Sequence, residues 1–318
     1  MTMSLLRVGR LRAVLRQAGR AIARAVPWRR AAASGVSPTR FARNGPVRIA
    51  YDVRGHGRPL VLVQGVGIGR WGWEPVADRL ARRFQVITID NRGVGASDSP
   101  PGPFTTAAMA GDVLAVLDHA GIQRASVLGT SLGGMVAQEL ALAHPDRVDR
   151  LVLVATLPGG PRSRPMPLGT TYLFAAAPFL TSKLRLQQFV HNALGPATRR
   201  GRPELAERLA AAKQASPQSE TAWRAQVAAG MLFNPLGRQR DITQPTLVIQ
   251  GTADRVVDPG NAGVLADLLP NARVECFDGA GHLLYWEQPR RFARVVTGFL
   301  TDPAASARQA TWSGRRAS

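Results

Sequence analysis

The chain has 318 residues, 45% of them hydrophobic, and contents of Gly and Pro that exclude a disordered or collagen-like chain; this length accommodates one large α/β domain with an insertion. The net charge is +20, but eleven arginines lie in residues 1–50, which contain no Asp or Glu, and every basic residue except Lys183 and Lys213 is Arg. That distribution fits a basic leader on a chain with an Arg-favouring codon bias, and nucleic acid is not expected as a partner. The single cysteine, Cys276, excludes an intrachain disulfide or a Cys-rich metal site and favours a reducing, cytoplasmic location.

Taken in chain order, the leader comes first. Between Leu11 and Val26 the apolar residues Leu11, Val14, Leu15, Ala18, Ile22, Ala25 and Val26 share one helical face, and Arg12, Arg16, Arg20 and Arg24 share the other. Residues 1–45 read as an N-terminal extension, amphipathic or mobile, whose segment 11–26 suits contact with an anionic membrane surface. No apolar run approaches the roughly 18 to 20 residues needed to span a bilayer.

From Val47 short apolar runs alternate with helical patterns, the signature of a doubly wound, mostly parallel sheet. The expected strands are Val47 to Val53, Pro59 to Gln64, Phe84 to Asp90, Ala125 to Thr130, Arg150 to Ala155, Pro245 to Gln250 and Arg273 to Phe277. Several are apolar almost throughout, as parallel strands covered on both faces should be. Helices are expected over Trp73 to Arg83, Thr105 to Ala120, Leu132 to His144 and Gln288 to Leu300.

The loop after the second strand, Gln64-Gly65-Val66-Gly67-Ile68-Gly69, is glycine-rich and runs into Arg70-Trp71-Gly72. The GxGxxG within it, with Asp90 further on, passes on spacing as a dinucleotide fingerprint. Trp71 is too bulky for a close approach to a pyrophosphate, so the loop is better read as the source of an oxyanion donor, the N–H of Val66.

The strand ending at Thr130 continues as Gly129-Thr130-Ser131-Leu132-Gly133-Gly134 and then a helix, the strand, turn and helix context that a GxSxG nucleophile elbow requires. Glycines two residues either side of Ser131 leave space for a tight turn. The helix N-terminus, with the N–H of Leu132, would stabilise an oxyanion. The plainer alternative, Ser131 as a helix cap, leaves the downstream partners unexplained.

A serine hydroxyl needs an imidazole to take its proton and a carboxylate to hold that imidazole in one tautomer. Asp254, in Gly251-Thr252-Ala253-Asp254 after the sixth expected strand, is the candidate acid, with Asp258 as a competitor. His282, in Gly279-Ala280-Gly281-His282 after the last strand, is the candidate base. The strand ending at Ala155 is followed by no acid until Glu204, so the acid cannot come from that loop. Residues 158–240 interrupt the alternation with helical periodicity and read as an inserted cap, which divides the core into 46–157 and 241–300; residues 301–318 read as a tail. Cys276 shares one face of the alternating run Arg273 to Phe277 with Val274 and reads as a core residue.

These segments, with Asp90-Asn91-Arg92-Gly93-Val94-Gly95-Ala96-Ser97, resemble the α/β-hydrolase superfamily over roughly Val47 to Leu300. The likeness is strongest to small bacterial cofactor-free hydrolases such as 3-oxoadipate enol-lactonases, carboxylesterases and non-haem haloperoxidases. It implies an α/β-hydrolase fold with a helical cap, a Ser131, Asp254 and His282 triad, and no metal or organic cofactor. The expected reaction is cleavage of a small-molecule carboxylic ester or lactone through an acyl-enzyme. The alternatives are C–C hydrolysis, acyl transfer or perhydrolysis by the same triad, or a non-catalytic ligand-binding role. Gln64, where many members have His, is a departure that bears on substrate contacts.

Overall fold

A computed structural model describes residues 38–176 and 180–303. The amphipathic segment 11–26 and residues 304–318 of the tail lie outside the described residues.

The sheet has eight strands: β1 (Arg40–Asn44), β2 (Val47–Arg54), β3 (Arg58–Val63), β4 (Phe84–Ile89), β5 (Ala125–Thr130), β6 (Val148–Val154), β7 (Thr246–Gly251) and β8 (Ala272–Phe277). Their order is β1-β2-β4-β3-β5-β6-β7-β8, with β1 and β2 antiparallel and all pairs from β4 to β8 parallel. The sheet therefore starts inside the segment read from sequence as the extension. β1 escapes a sequence reading because it is an edge strand in which only Ala42 is buried, while Phe41 is 41% exposed. It joins β2 through a two-residue turn at Gly45, whose φ of 59° suits glycine.

Apolar residues fill both faces of the inner strands. Val61, Val63 and Val127 belong to one core cluster, and Leu60, Leu62 and Leu128 to the other, as a period of two dictates. Helices α1 (Glu74–Leu80), α2 (Thr106–His119) and α3 (Leu132–Ala143) cover the first half of the sheet. The cap, inserted between β6 and β7, comprises α4 (Leu168–Ala176), α5 (Ser182–Ala193), α6 (Pro196–Gly201), α7 (Pro203–Ala215) and α8 (Glu220–Met231). After β7 come α9 (Asn261–Leu268), which the sequence reading did not assign, then α10 (Leu284–Glu287) and α11 (Pro289–Thr301). α2, α3 and α9 pack on one face, and α1 and α11 on the other.

This topology positions the site. β3 and β5 are neighbours, yet β3 feeds α1 on one face and β5 feeds α3 on the opposite face. Their loops diverge at the carboxyl ends of the strands and leave a crevice at the switch point.

Cys276 departs from its expected place. As a residue it is exposed on the edge strand β8; partial desolvation of its thiol, with the nearby Asp278 and Glu275, raises the pKa. Edge position outweighs alternation here, because among the described residues no further strand pairs with β8 on that side. Among the described residues, no helix is long and apolar enough to cross a membrane.

Candidate active site

Ser131 sits between β5 and α3 with φ 53° and ψ −121°, a conformation rare for a residue with a side chain and held here by its surroundings. Its N–H donates to Val154 O (2.9 Å), and its carbonyl accepts from the Thr156 hydroxyl (2.7 Å) and Gly134 N–H (2.9 Å). The Ser131 side chain makes no capping hydrogen bond, which removes the helix-cap alternative. The motif's glycines have steric causes. A Cβ on Gly129 would lie 2.1 Å from Gly133 O, and one on Gly133 would lie 2.1 Å from Val63 O. The elbow is thus wedged between its own helix and β3.

The loop after β3 lies against the serine: a Cβ on Gly65 would meet Ser131 Cβ at 3.0 Å and Oγ at 3.6 Å. Asn91 Nδ2 donates to Gln64 O (2.8 Å), and Gln226 Oε1 accepts from Gly67 N–H (2.8 Å), so the loop is fixed on both sides of Val66. The Val66 N–H has no acceptor among the described residues. That of Leu132, at the start of α3, has no intrahelical acceptor. Gln64 is fully buried and accepts from Tyr285 Oη (3.1 Å), a phenol whose pKa is raised by burial. The glycines of the GxGxxG run face protein: a Cβ on Gly69 would lie 2.7 Å from Asp90 Oδ1, and one on Gly72 2.5 Å from Gln64 Nε2. No space is left there for a pyrophosphate. The Asp90 to Ser97 segment is structural. Asp90 accepts from Arg70 N–H (2.7 Å) and Ala96 N–H (3.0 Å), while Ser97 Oγ donates to Asp90 O (2.6 Å).

Asp254 and His282, on the loops after β7 and β8, are brought together. His282 Nδ1 lies 2.9 Å from Asp254 Oδ2, and the Asp254 side chain is fully buried. The carboxylate is otherwise satisfied by Gln250 Nε2 (3.0 Å) and by the N–H groups of Val256 (2.7 Å) and Val257 (3.1 Å). An ionised carboxylate only accepts, so Nδ1 carries the proton and Nε2 is left free. Asp258 accepts from Gly260 N–H (2.8 Å) and closes a turn ahead of α9. Among the other histidines, His119 bonds the Tyr51 hydroxyl (2.8 Å) and His191 meets Arg255.

Ser131, His282, Gly65 and Val66 line one cavity of about 520 Å³, roofed by cap residues that include Leu186, Phe189, Lys213 and Trp223. Two partners escaped the sequence reading. Gln250 orients the acid from within β7, and its signal was a polar residue ending an otherwise apolar strand. Glu287, 4% exposed, accepts from Gly281 N–H (2.6 Å) in the loop before His282 and from Gly195 N–H (3.1 Å) in the cap; the Thr198 hydroxyl also donates to it. Nothing in the sequence around Glu287 marks it, because its partners, the N–H groups of Gly281 and Gly195 and the Thr198 hydroxyl, are 6, 92 and 89 residues away.

Comparison with known proteins agrees with this architecture. The profile of a family described as alpha/beta hydrolase fold matches residues 58–289. A 2-hydroxy-6-oxononadienedioate/2-hydroxy-6-oxononatrienedioate hydrolase from Burkholderia vietnamiensis is 35% identical over 276 residues, covering 80% of this chain and 91% of that protein. Among solved structures, Est816, described as an N-acyl homoserine lactone degrading enzyme, is 30% identical with a TM-score of 0.73, covering 82% of this chain and 100% of its own. A hydrolase from Pseudomonas aeruginosa is 31% identical with a TM-score of 0.74, covering 84% and 99%.

Proposed function

The chain belongs to the α/β-hydrolase fold family and is a hydrolase, and we propose that it works through Ser131 as nucleophile, His282 as general base and Asp254 as the acid that orients the base. The observation that carries this reading is the Asp254 to His282 contact on the cavity that Ser131 also lines. In this mechanism His282 Nε2 takes the Ser131 proton as Oγ attacks a carbonyl carbon. The N–H groups of Val66 and Leu132 receive the oxyanion. Asp254 stays ionised and stabilises the imidazolium. Collapse of the tetrahedral intermediate expels a leaving group that takes the proton from His282, and water then repeats the sequence on the acyl-enzyme.

Which bond breaks is the finer question, and the relatives shift the weight from the ester or lactone expected from sequence. The compound in the Burkholderia protein's name is a 6-oxo dienedioate with no ester linkage, so its hydrolysis must cleave a carbon–carbon bond beside the ketone. We assign the same reaction class here: attack on a ketone carbonyl, with the departing carbon leaving as a carbonyl-stabilised carbanion that His282 protonates. Ester or lactone cleavage is the second reading, favoured by the similarity to the lactone-degrading Est816. The triad serves both, since only the leaving atom differs. Bleaching of a 2-hydroxy-6-oxo-dienoate by the purified protein, absent in Ser131→Ala, supports C–C hydrolysis. Turnover of chromogenic esters with no bleaching would overturn it in favour of ester cleavage, and full activity of Ser131→Ala on either substrate would overturn the triad.

A further inference from the structure

Lys213, one of only two lysines in a chain that otherwise uses Arg, lies on α7 and lines the same cavity as Ser131 and His282. Its ammonium donates to Gly67 O, beside the loop that carries the Val66 N–H, and sits 5.8 Å from the centre of the Phe189 ring. An ammonium has three donors, and this is its one hydrogen bond among the described residues. It has no ion pair there. The acid on the cavity wall, Glu220, is engaged by Arg185 (3.3 Å) and Arg224 (2.7 Å). Every acidic side chain of the sequence lies within the stretch from Asp52 to Asp302, and among the described residues none of them pairs with Lys213.

Support of the loop does not require a charge at this point. Gly67 is already fixed by Gln226, whose Oε1 accepts from Gly67 N–H (2.8 Å) and whose Nε2 donates to Arg92 O (2.8 Å). Gln218 Nε2 donates to that same Gln226 oxygen (3.1 Å), which fixes the Gln218 amide and leaves its buried Oε1 without a donor. Lys213 Nζ and Gln218 Oε1 both lie beside Gly67, where an added Cβ would come within 3.0 Å of the first and 2.9 Å of the second, and a neutral amide oxygen offers the ammonium no counter-charge. A cation drawn out of water without a counter-charge is costly, and it becomes favourable when a ligand supplies the missing anion.

We propose that Lys213 is a carboxylate-reading subsite, so that the substrate of the Ser131 reaction carries a carboxylate a few bonds from the carbonyl that is attacked. This rests on the hydrolase reading above for its reaction but not for its binding. Burial depresses the ammonium to about 8, consistent with a group that lacks a permanent anionic partner.

The test is therefore equilibrium binding to the Ser131→Ala protein, which needs no turnover, with monomethyl adipate against dimethyl adipate. The mono-acid should bind at least tenfold more tightly. Adding Lys213→Met should bring the ratio to near one, and adding Lys213→Arg should restore most of it. Lys213→Gln serves if the Met variant does not fold, as judged by its melting curve. A ratio near one in the Ser131→Ala protein, or one that survives loss of Lys213, overturns the subsite. Equal weakening of both ligands overturns it too, because it makes Lys213 a support for the loop alone. If the ratio depends on Lys213 while no carbonyl substrate is turned over, the subsite stands and the catalytic reading fails.

Discussion

The sheet-edge loops and the cap meet at one cavity but are built differently. At the sheet edge, position is set by backbone against backbone: Gly129 on Gly133, Gly133 on Val63, and Gly251 on the carbonyls of Ala280 and Gly281, where a Cβ would lie 2.4 to 2.5 Å away. In the cap, helices face the cavity with side chains, and α5 contains one buried residue, Ala193. Backbone contacts have no rotamers to adjust, whereas a wall of long side chains can be altered one contact at a time. Such a division lets one region fix the chemistry while the other sets what is admitted.

Ser131→Ala should lower kcat by on the order of 10³ or more, with the melting temperature little changed, as read by turnover and calorimetry. Gly133→Ala drives a methyl group into Val63 O, so the chain must shift where it is most constrained. A loss of roughly 3 kcal/mol or more is expected in denaturant titrations, with activity falling alongside. Truncation of a cavity-facing cap side chain, such as Leu186→Ala, that cost as much would erase the contrast.

Glu287 joins the two regions. Glu287→Leu leaves the N–H groups of Gly195 and Gly281 without their acceptor, at about 1–3 kcal/mol each. Glu287→Gln keeps an oxygen for them and should recover most of that stability. If kcat follows the same pattern, the carboxylate acts by positioning the His282 loop.

The smallest effect is one of pH. Lys213 is charged below about 8, so the preference in kcat/KM for an acid-bearing ester over its neutral diester should be full below that value and lost as pH rises through it. Of the other charged groups on the cavity wall, Arg185 is paired with Glu220, whose carboxylate is held below its usual range by its bonds to Arg224 and Arg185. His282 acts on both substrates alike and cancels in the ratio. A preference that held flat to pH 10 would remove Lys213 from recognition.

Much of the sheet was legible because its strands are apolar runs with loops of unusual composition at their ends. Ser131, Asp254 and His282 each follow a strand within a glycine-bearing loop, and those glycines are the sequence trace of the backbone contacts described above. β1 was missed because one buried residue in five makes no pattern, and Cys276 was misread because alternation does not reveal which strand is the edge. Lys213 and Glu287 were invisible for another reason. Their meaning lies in what they touch across 146 and 92 residues, and a lone Lys or Glu in a helix reads as a solvated face.

Glu287 bears on how such proteins can be recombined. Gly195 and Thr198 belong to the cap, and Glu287 and Gly281 to the sheet-edge scaffold, so a graft that exchanges residues 158–240 for a foreign cap cuts through a shared anchor. A donor cap that offers no N–H at the place of Gly195 would leave a buried carboxylate half satisfied beside the histidine loop. Chimeras should therefore be chosen by that joint first and by the shape of the cavity second.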